Sequence, residues 1–571
     1  MLRLPAANGA AALGPASLGQ AAAGPTIRAE GSAERANGLW RGWLGIGLDA
    51  VRFADLPTYW PRGLGSPKGG EREWITQNIT AGTIRNGQWR IEAEAPAGEP
   101  EGLRITALTG TAEASDATVH WLRPVPAAVG VSGTAEFTLR EITLRARGGR
   151  QLIGEGARAP MELRDGVVRF FNLDADPGNA EIALQVAGPL AEAVTLLKHP
   201  RLKLFERQPL TLRVAEGQAE ARLTIAFPLL EDLPVEELRI RATARVTDAR
   251  LPGMLLDQDL DRAAFELAVD TDTLKASGTA LLLGAPVKLA IDLDFRRGPA
   301  TQVVERATLS GRLDAQQIAI LGFDATRALD GPVALEARSE KRRNGQGQVV
   351  LRGDLRDARL GMEALNWAKL PGTAGTADAT LRMQGDALVA VETFRVEALE
   401  LSLRGRAGFV RSKLDRVEIT ESLFGGSRFT GEVRPPERAN AAWSIALRGP
   451  LLDLRPVLGP AGHAEGGGAR DPAPPAASAG DGPPLLLDLR FDRVTMGEDR
   501  NLLGVQTRAR TDARGVLREA RATGRTAVRG LGTAPPAPGA PAAPGQPGPF
   551  EFTLTPRGDQ RLLRLTAEDG G

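Results

Sequence analysis

The chain has 571 residues, 42% of them hydrophobic and 25% charged, and its 71 Lys+Arg and 70 Asp+Glu leave a net charge of +1. That length exceeds the roughly 100–200 residues of an ordinary domain, so the chain either holds several domains or grows one architecture by repetition. The even spread of both signs excludes the clustered basic face that nucleic acid requires, and the absence of cysteine excludes disulfide staples, thiolate metal sites and cysteine nucleophiles.

Taken in chain order, residues 1–36 are Ala/Gly-rich, are broken by Pro15 and Pro25, and read as low-complexity and disordered. With only Arg3 ahead of them they make a poor signal peptide, and no run in the chain reaches the ~18 apolar residues of a membrane span. Trp40, Trp43, Trp60, Trp74, Trp89 and Trp121 cluster early and read as core anchors capping one end of a sheet. Residues 37–458 then carry a recurrent period-two pattern. Ile182, Leu184 and Val186 alternate with other residues, as do Leu210, Leu212 and Val214, and Leu223, Ile225 and Phe227. Leu238, Ile240, Ala242, Ala244 and Val246 alternate with Arg239, Arg241, Thr243, Arg245 and Thr247. Phe265, Leu267 and Val269, then Leu289, Ile291, Leu293 and Phe295, and later Leu399, Leu401 and Leu403 repeat it. Successive strand side chains point to opposite faces, so each segment predicts a half-buried strand with one apolar and one polar face.

Turn residues such as Gly148-Gly149, Asp165-Gly166, Asn344-Gly345 and Gly425-Gly426 punctuate the strands, and such short loops predict antiparallel meanders. Short helices are expected at Leu190–Leu197, halted by Pro200, and within Asp314–Leu329 with Ile318, Ile320, Leu321 and Phe323 as the apolar side. Residues 459–484 and 530–549 are Gly/Ala/Pro-rich and read as a linker and a loop. Strand patterns resume over 485–571, and the end beyond Leu562–Leu565 reads as cut.

Residues with chemistry do not assemble. His120, His199 and His463 lack second ligands at metal-binding spacing. The Gly63–Gly70 stretch lacks the order of a phosphate-binding loop, and Asp257, Asp259 and Asp261 lack the closing glutamate of a calcium loop. No catalytic residue, cofactor or metal is expected, and the chain does not read as an enzyme.

About half of the chain in one-face-apolar strands poses a physical problem, because an apolar face of that size must be covered. A membrane barrel would need aromatic girdles, which a single tyrosine does not supply; a β-helix would show a short fixed repeat. The expected fold is therefore all-β: a long, twisted, mostly antiparallel sheet curled into an elongated groove, with a few short helices. With strands ~4.8 Å apart, 25–30 of them would span roughly 120–145 Å, the reach of a bridge. Acyl chains suit such a groove, and its floor candidates are Leu238, Ile240, Val246, Phe265, Leu267, Val269, Leu289, Ile291, Leu293, Leu399, Leu401 and Leu403.

Four motifs also look familiar in their order. Leu56-Pro57-Thr58-Tyr59-Trp60-Pro61, with Arg72-Glu73-Trp74-Ile75-Thr76-Gln77-Asn78-Ile79 and Gly82, resembles a signature of the YhdP branch of AsmA-like proteins. Val119–Pro126, Leu365–Gly372 and Gly449–Leu454 resemble further elements of that family. The resemblance implies a bridge-like lipid transfer protein in the periplasm of a Gram-negative bacterium, anchored to the inner membrane and supporting phospholipid delivery and envelope integrity. Its implied partners are phospholipid acyl chains and the inner and outer membranes or their proteins, not nucleic acid. This chain lacks the family's N-terminal anchor and its C-terminal part. A chaperone-like β-scaffold that holds outer-membrane polypeptides is the alternative, and it would expose strand edges for pairing.

Overall fold

The computed structural model describes residues 2–3, 25–60, 70–154, 159–202, 213–230, 233–234, 237–362, 367–411, 413–436, 438, 441–458, 483–497, 500–527, 548–558 and 560–567. Most of the expected linker over 459–484, most of the 530–549 loop, the strand residues Leu210 and Leu212, and His463 lie outside these. The protein is all-β, with 70% of residues in strands and 8% in helices, and the strands form a long, mostly antiparallel sheet with a few short helices. Two compact units divide it, Met1–Arg297 and Gly298–Gly571.

In the first unit the expected disorder over 1–36 is corrected in part. Thr26–Ala36 is a strand, paired antiparallel with Leu39–Arg52 from Ile27↔Leu48 to Ala36↔Leu39. From there the sheet grows by antiparallel neighbours through Ile79–Pro96, Arg104–Val119, Ala128–Thr138, Glu141–Arg147, Met161–Phe171 and Asn179–Pro189. It continues through Glu216–Pro228, Arg239–Leu255, Gln258–Asp270, Thr273–Leu282 and Ala285–Asp294.

Single-residue bulges bend these strands. Between the pairs Val246↔Phe265 and Ala249↔Ala263, one strand spends one residue more than its partner, and Asp248 there has φ 51°. Asn86, Asp116 and Arg262 also take positive φ where the register shifts. Such bulges raise the local twist and curve a sheet. They also switch which parity faces inward: the apolar set runs on even numbers up to Val246 and on odd numbers from the buried Ala249 and Leu251.

Helices α1 (Leu56–Tyr59) and α2 (Gly70–Asn78) pack on the apolar face of this unit. Buried Leu56 and Ile75 join a cluster with Ile142, Phe170 and Ala180, and the Trp74 ring lies 5.3 Å from that of Phe170, centroid to centroid. Arg72 staples the pair, donating from Nε to the Trp60 carbonyl at 3.1 Å and from Nη2 to the Pro57 carbonyl at 2.9 Å. The early tryptophans are thus only partly a core. Trp60 and Trp74 are, and Trp121 donates to Gln151 Oε1 at 2.8 Å, but Trp43 lies under Arg90 and Trp40 is 44% exposed. Helix α3 (Leu190–Leu197) forms where expected.

The second unit repeats the meander from Val303–Asp314 through Pro332–Arg342, Gln346–Asp354, Gly375–Gln384, Ala387–Ala398, Leu401–Val410, Lys413–Phe424, Ser427–Arg434 and Trp443–Asp453. Leu485–Thr495 then pairs parallel to Trp443–Asp453, as strands separated by a long connection can. Asn501–Thr511, Leu517–Ala527, Pro549–Arg557 and Gln560–Ala567 complete it. Helix α4 (Ala315–Ile320) is shorter than the sequence suggests, capped at Asp314 by a reciprocal box with Gln317. Ile318 packs inward, but Ile320 and Phe323, expected on the apolar side, are exposed.

After α4 a small sheet of Leu329–Asp330, Arg359–Met362 and Trp367–Lys369 covers one end of these strands, with Trp367 edge-on to Phe424 at 5.3 Å. Lys369, 0% exposed, holds it: Nζ donates to the carbonyls of Leu355 at 2.6 Å and Ala358 at 2.7 Å. Burial holds this ammonium below the ordinary lysine range, while Asp354 and Asp357 pull it back up. Lys369→Met would leave buried carbonyls without donors and is expected to lower stability by about 3 kcal/mol, read as a fall in the urea midpoint. An unchanged midpoint would contradict the staple.

Asp453, at the same strand ends, accepts from the Arg455 guanidinium and backbone N–H, and Arg455 holds its carboxyl below the usual carboxylate range. A depressed folded pKa gives stability that is present above the unfolded value of ~3.9 and lost as pH falls through the folded one. Acid titration of unfolding should therefore be shallower between about pH 4 and pH 2 in Asp453→Asn than in the parent chain.

Candidate functional site

Cross-strand pairing decides which of the expected floor residues meet. Residues directly opposite on adjacent strands share a face. Leu184 pairs with Leu223, Leu223 with Ala242, Ala242 with Val269, Val269 with Leu274, and Leu274 with Leu293. The next row runs Val186, Ala221, Ala244, Leu267, Ala276, Ile291, and the third Ala219, Val246, Phe265, Gly278, Leu289. Ile240 pairs with Ile225 and Leu238 precedes it by two on the same face. All nine first-unit candidates therefore lie side by side on one face.

That face is apolar but open. Ile240, Phe265, Leu267, Val269, Leu289 and Ile291 are half-buried, while Leu238, Val246 and Leu293 are buried. The opposite face alternates as expected: Glu266, Ala268 and Asp270 are exposed, and Arg245 Nη2 meets Glu266 at 3.0 Å. Exposed pairs of this kind contribute little stability each; they keep that face wet.

In the second unit the rows are longer. Val349, Leu381, Val391, Ala407, Val417 and Val433 follow one another, and Ile445, Leu487, Ala509, Ala520 and Leu554 carry the row on. Leu401 and Leu403 belong to the same face through Ala398 and Val396. Leu399 does not. It lies in the turn before Leu401–Val410, beside Glu400 at φ 56°, and is 56% exposed. The hairpin turns one residue earlier than the Leu-x-Leu-x-Leu spacing suggests.

Small residues missed by the alternation test complete the floor. Phe265 stands opposite Gly278, Phe394 opposite Gly405 and Phe550 opposite Gly524. In each pair the ring lies over the glycine of the next strand. Trp89 and Phe137 meet edge-on at 5.7 Å across Gly110, their shared cross-strand neighbour. A lone glycine in an alternating run is the sequence signal for such a site.

Polar candidates resolve into turn and anchoring roles. Asp259 accepts from the Gly253 N–H and from Arg250. His120 Nε2 lies 3.2 Å from Thr80 Oγ1, its pKa lowered by burial, and His199 Nδ1 accepts from the Arg201 N–H. Among the described residues no group of three His, Cys, Asp or Glu is placed to hold a metal, and no helix is long and apolar enough to cross a membrane. The family-like motifs lie at strand ends: α1 and α2 hold the first, Trp367–Lys369 part of the third, while Leu365 and Asn366 are outside the described residues. No family model, curated protein or solved structure matches the chain.

A Cβ at Gly278 would collide with the Ala264 carbonyl and meet the Phe265 ring edge at 2.7 Å. Gly278→Ala is therefore expected to lower stability by about 2 kcal/mol in thermal or urea unfolding, although alanine elsewhere in a strand is stabilising.

Proposed function

We propose that this chain is a lipid-carrying β-scaffold, a piece of a bridge-like phospholipid conduit of the AsmA-like kind working in a Gram-negative periplasm between inner and outer membranes. The observation that carries the reading is the in-register row: apolar side chains follow one another across strand after strand of each unit, and most of them, such as Phe265, Leu267, Ile291, Val391 and Val417, are only half-buried, while others, such as Val246, Leu293 and Leu381, are buried. Such a face suits hydrocarbon. Each buried CH₂ is worth about 0.8 kcal/mol, so a lipid with ~30 methylenes faces a barrier of about 20 kcal/mol in water, which a continuous apolar floor removes. Nothing in this reading calls for catalysis; the floor works by keeping the chains out of water and leaving the headgroup in it.

Leu267→Asp and Ile291→Asp each place a charge in the same apolar row, two strands apart, on half-buried positions that a folded sheet can tolerate. Both variants are expected to keep the parent's strand signal in circular dichroism. Native mass spectrometry should find phospholipid bound to the parent chain and much less on either variant. Photo-crosslinkers at the same two positions should capture lipid; capture of peptides alone would replace the conduit with a polypeptide holder.

A further inference from the structure

The hairpin between Arg239–Leu255 and Gln258–Asp270 reaches past its neighbours. Glu216–Pro228 stops pairing with it at Arg250, and Thr273–Leu282 ends opposite Leu260. The hairpin ladder runs on to Leu255↔Gln258, so among the described residues 252–259 form a strand tip that pairs only with itself. The core does not need this tip. It is closed one step earlier by Leu251, Leu260, Leu282 and Ala285, all of them buried. Yet the tip carries Met254, Leu255 and Leu256 in succession, with Met254 42% and Leu256 60% exposed.

Backbone strain marks the same spot. The two-residue loop Leu256-Asp257 has φ 50° and 60°, a conformation that suits glycine, asparagine or aspartate and not a branched apolar side chain. The adjacent hairpin turns at the same strand end through Leu283 and Gly284, with φ 51° and 82°. Every other described non-glycine residue with positive φ is Asn, Asp, Glu or Arg. A leucine that strains the backbone and stays in water gives the fold nothing that asparagine would not supply with less strain. Such a residue points to a partner.

We propose that the 252–259 tip is a membrane foot, which sets Met254, Leu255 and Leu256 into the interface of a bilayer with zwitterionic headgroups. Size argues against a protein partner. Three side chains on a two-stranded tip fall far short of the ~800 Å² that each side of a standard protein interface buries. A bilayer interface needs no matched surface, and interfacial elements sink about 5–10 Å into it. From Leu260 to Gln258 the tip extends ~7 Å beyond the sheet, which matches that depth. Charge selects the lipid. The tip holds no Lys or Arg, Asp257 is exposed at its end, and Asp259 is taken up by the Gly253 N–H and Arg250. An anionic surface repels the Asp257 carboxylate, whereas the ammonium of phosphatidylethanolamine attracts it. The foot needs no lipid on the floor, so it stands or falls apart from the conduit reading.

The chain has no cysteine, so Leu256→Cys in the full chain takes a polarity-sensitive dye at one position. The dye should blue-shift and brighten on vesicles of phosphatidylcholine and phosphatidylethanolamine, whereas the same dye on Glu266→Cys, exposed on the charged face, should not. Leu256→Asn supplies the residue type that the turn favours. It is expected to raise the thermal unfolding midpoint by about 2 °C and to lower the vesicle-bound fraction in flotation about tenfold. Adding phosphatidylglycerol to the vesicles should weaken binding of the parent chain. A parent chain that does not float, or a Leu256→Asn variant that is less stable and floats as well as the parent, overturns the foot. Stronger binding to phosphatidylglycerol overturns its lipid class. A dye signal that rises with protein concentration in the absence of vesicles assigns the tip to a second copy of the chain and overturns it as well.

Discussion

Register is the constraint on which this molecule rests. Because strand side chains alternate with a period of two, a slip of one residue in any pairing would turn an entire apolar set to the wrong face. In each unit the ladder holds its apolar partners opposite one another over successive strands, for example from Leu184 to Leu293 and from Val349 to Val433. Where a strand must bend, an added residue at positive φ takes up the change and the inward parity shifts with it, as at Asp248 and Arg262. The curvature and the continuity of the apolar face come from the same device.

The polar parts serve that face. Arg72 and Lys369 do similar work in the two units: each turns a cation inward to the carbonyls of a segment that folds back over strand ends, and each lies two residues from a tryptophan resting on a phenylalanine of the sheet. Desolvating such cations is costly, and their carbonyl partners offset it. The Arg–Glu pairs of the outer face are exposed and individually weak. Their alternating sign across strands disfavours slipped pairings, in which like charges would stand opposite each other.

Much of the fold was legible in the sequence because alternation is a local signal. The strand runs at 238–246, 265–269 and 289–293 and the helix Leu190–Leu197 stand where their patterns place them. What was hidden depends on partners far away in the chain. Leu399 fits the alternation but lies in a turn, whose position is set by the pairing of Ala398 with Leu401. Residues 1–36 read as low-complexity because they are Ala/Gly-rich and broken by Pro15 and Pro25, yet Thr26–Ala36 pairs along Leu39–Arg52, a long-range backbone ladder that composition cannot reveal.

The meander has one more implication. Most strands here bond to their chain neighbours, so a hairpin is a nearly self-contained unit of growth. Adding or removing two strands at once would lengthen or shorten the path by ~10 Å while preserving face and direction. Length is thus a quantity that duplication can tune in whole steps, to match whatever gap the scaffold has to cross.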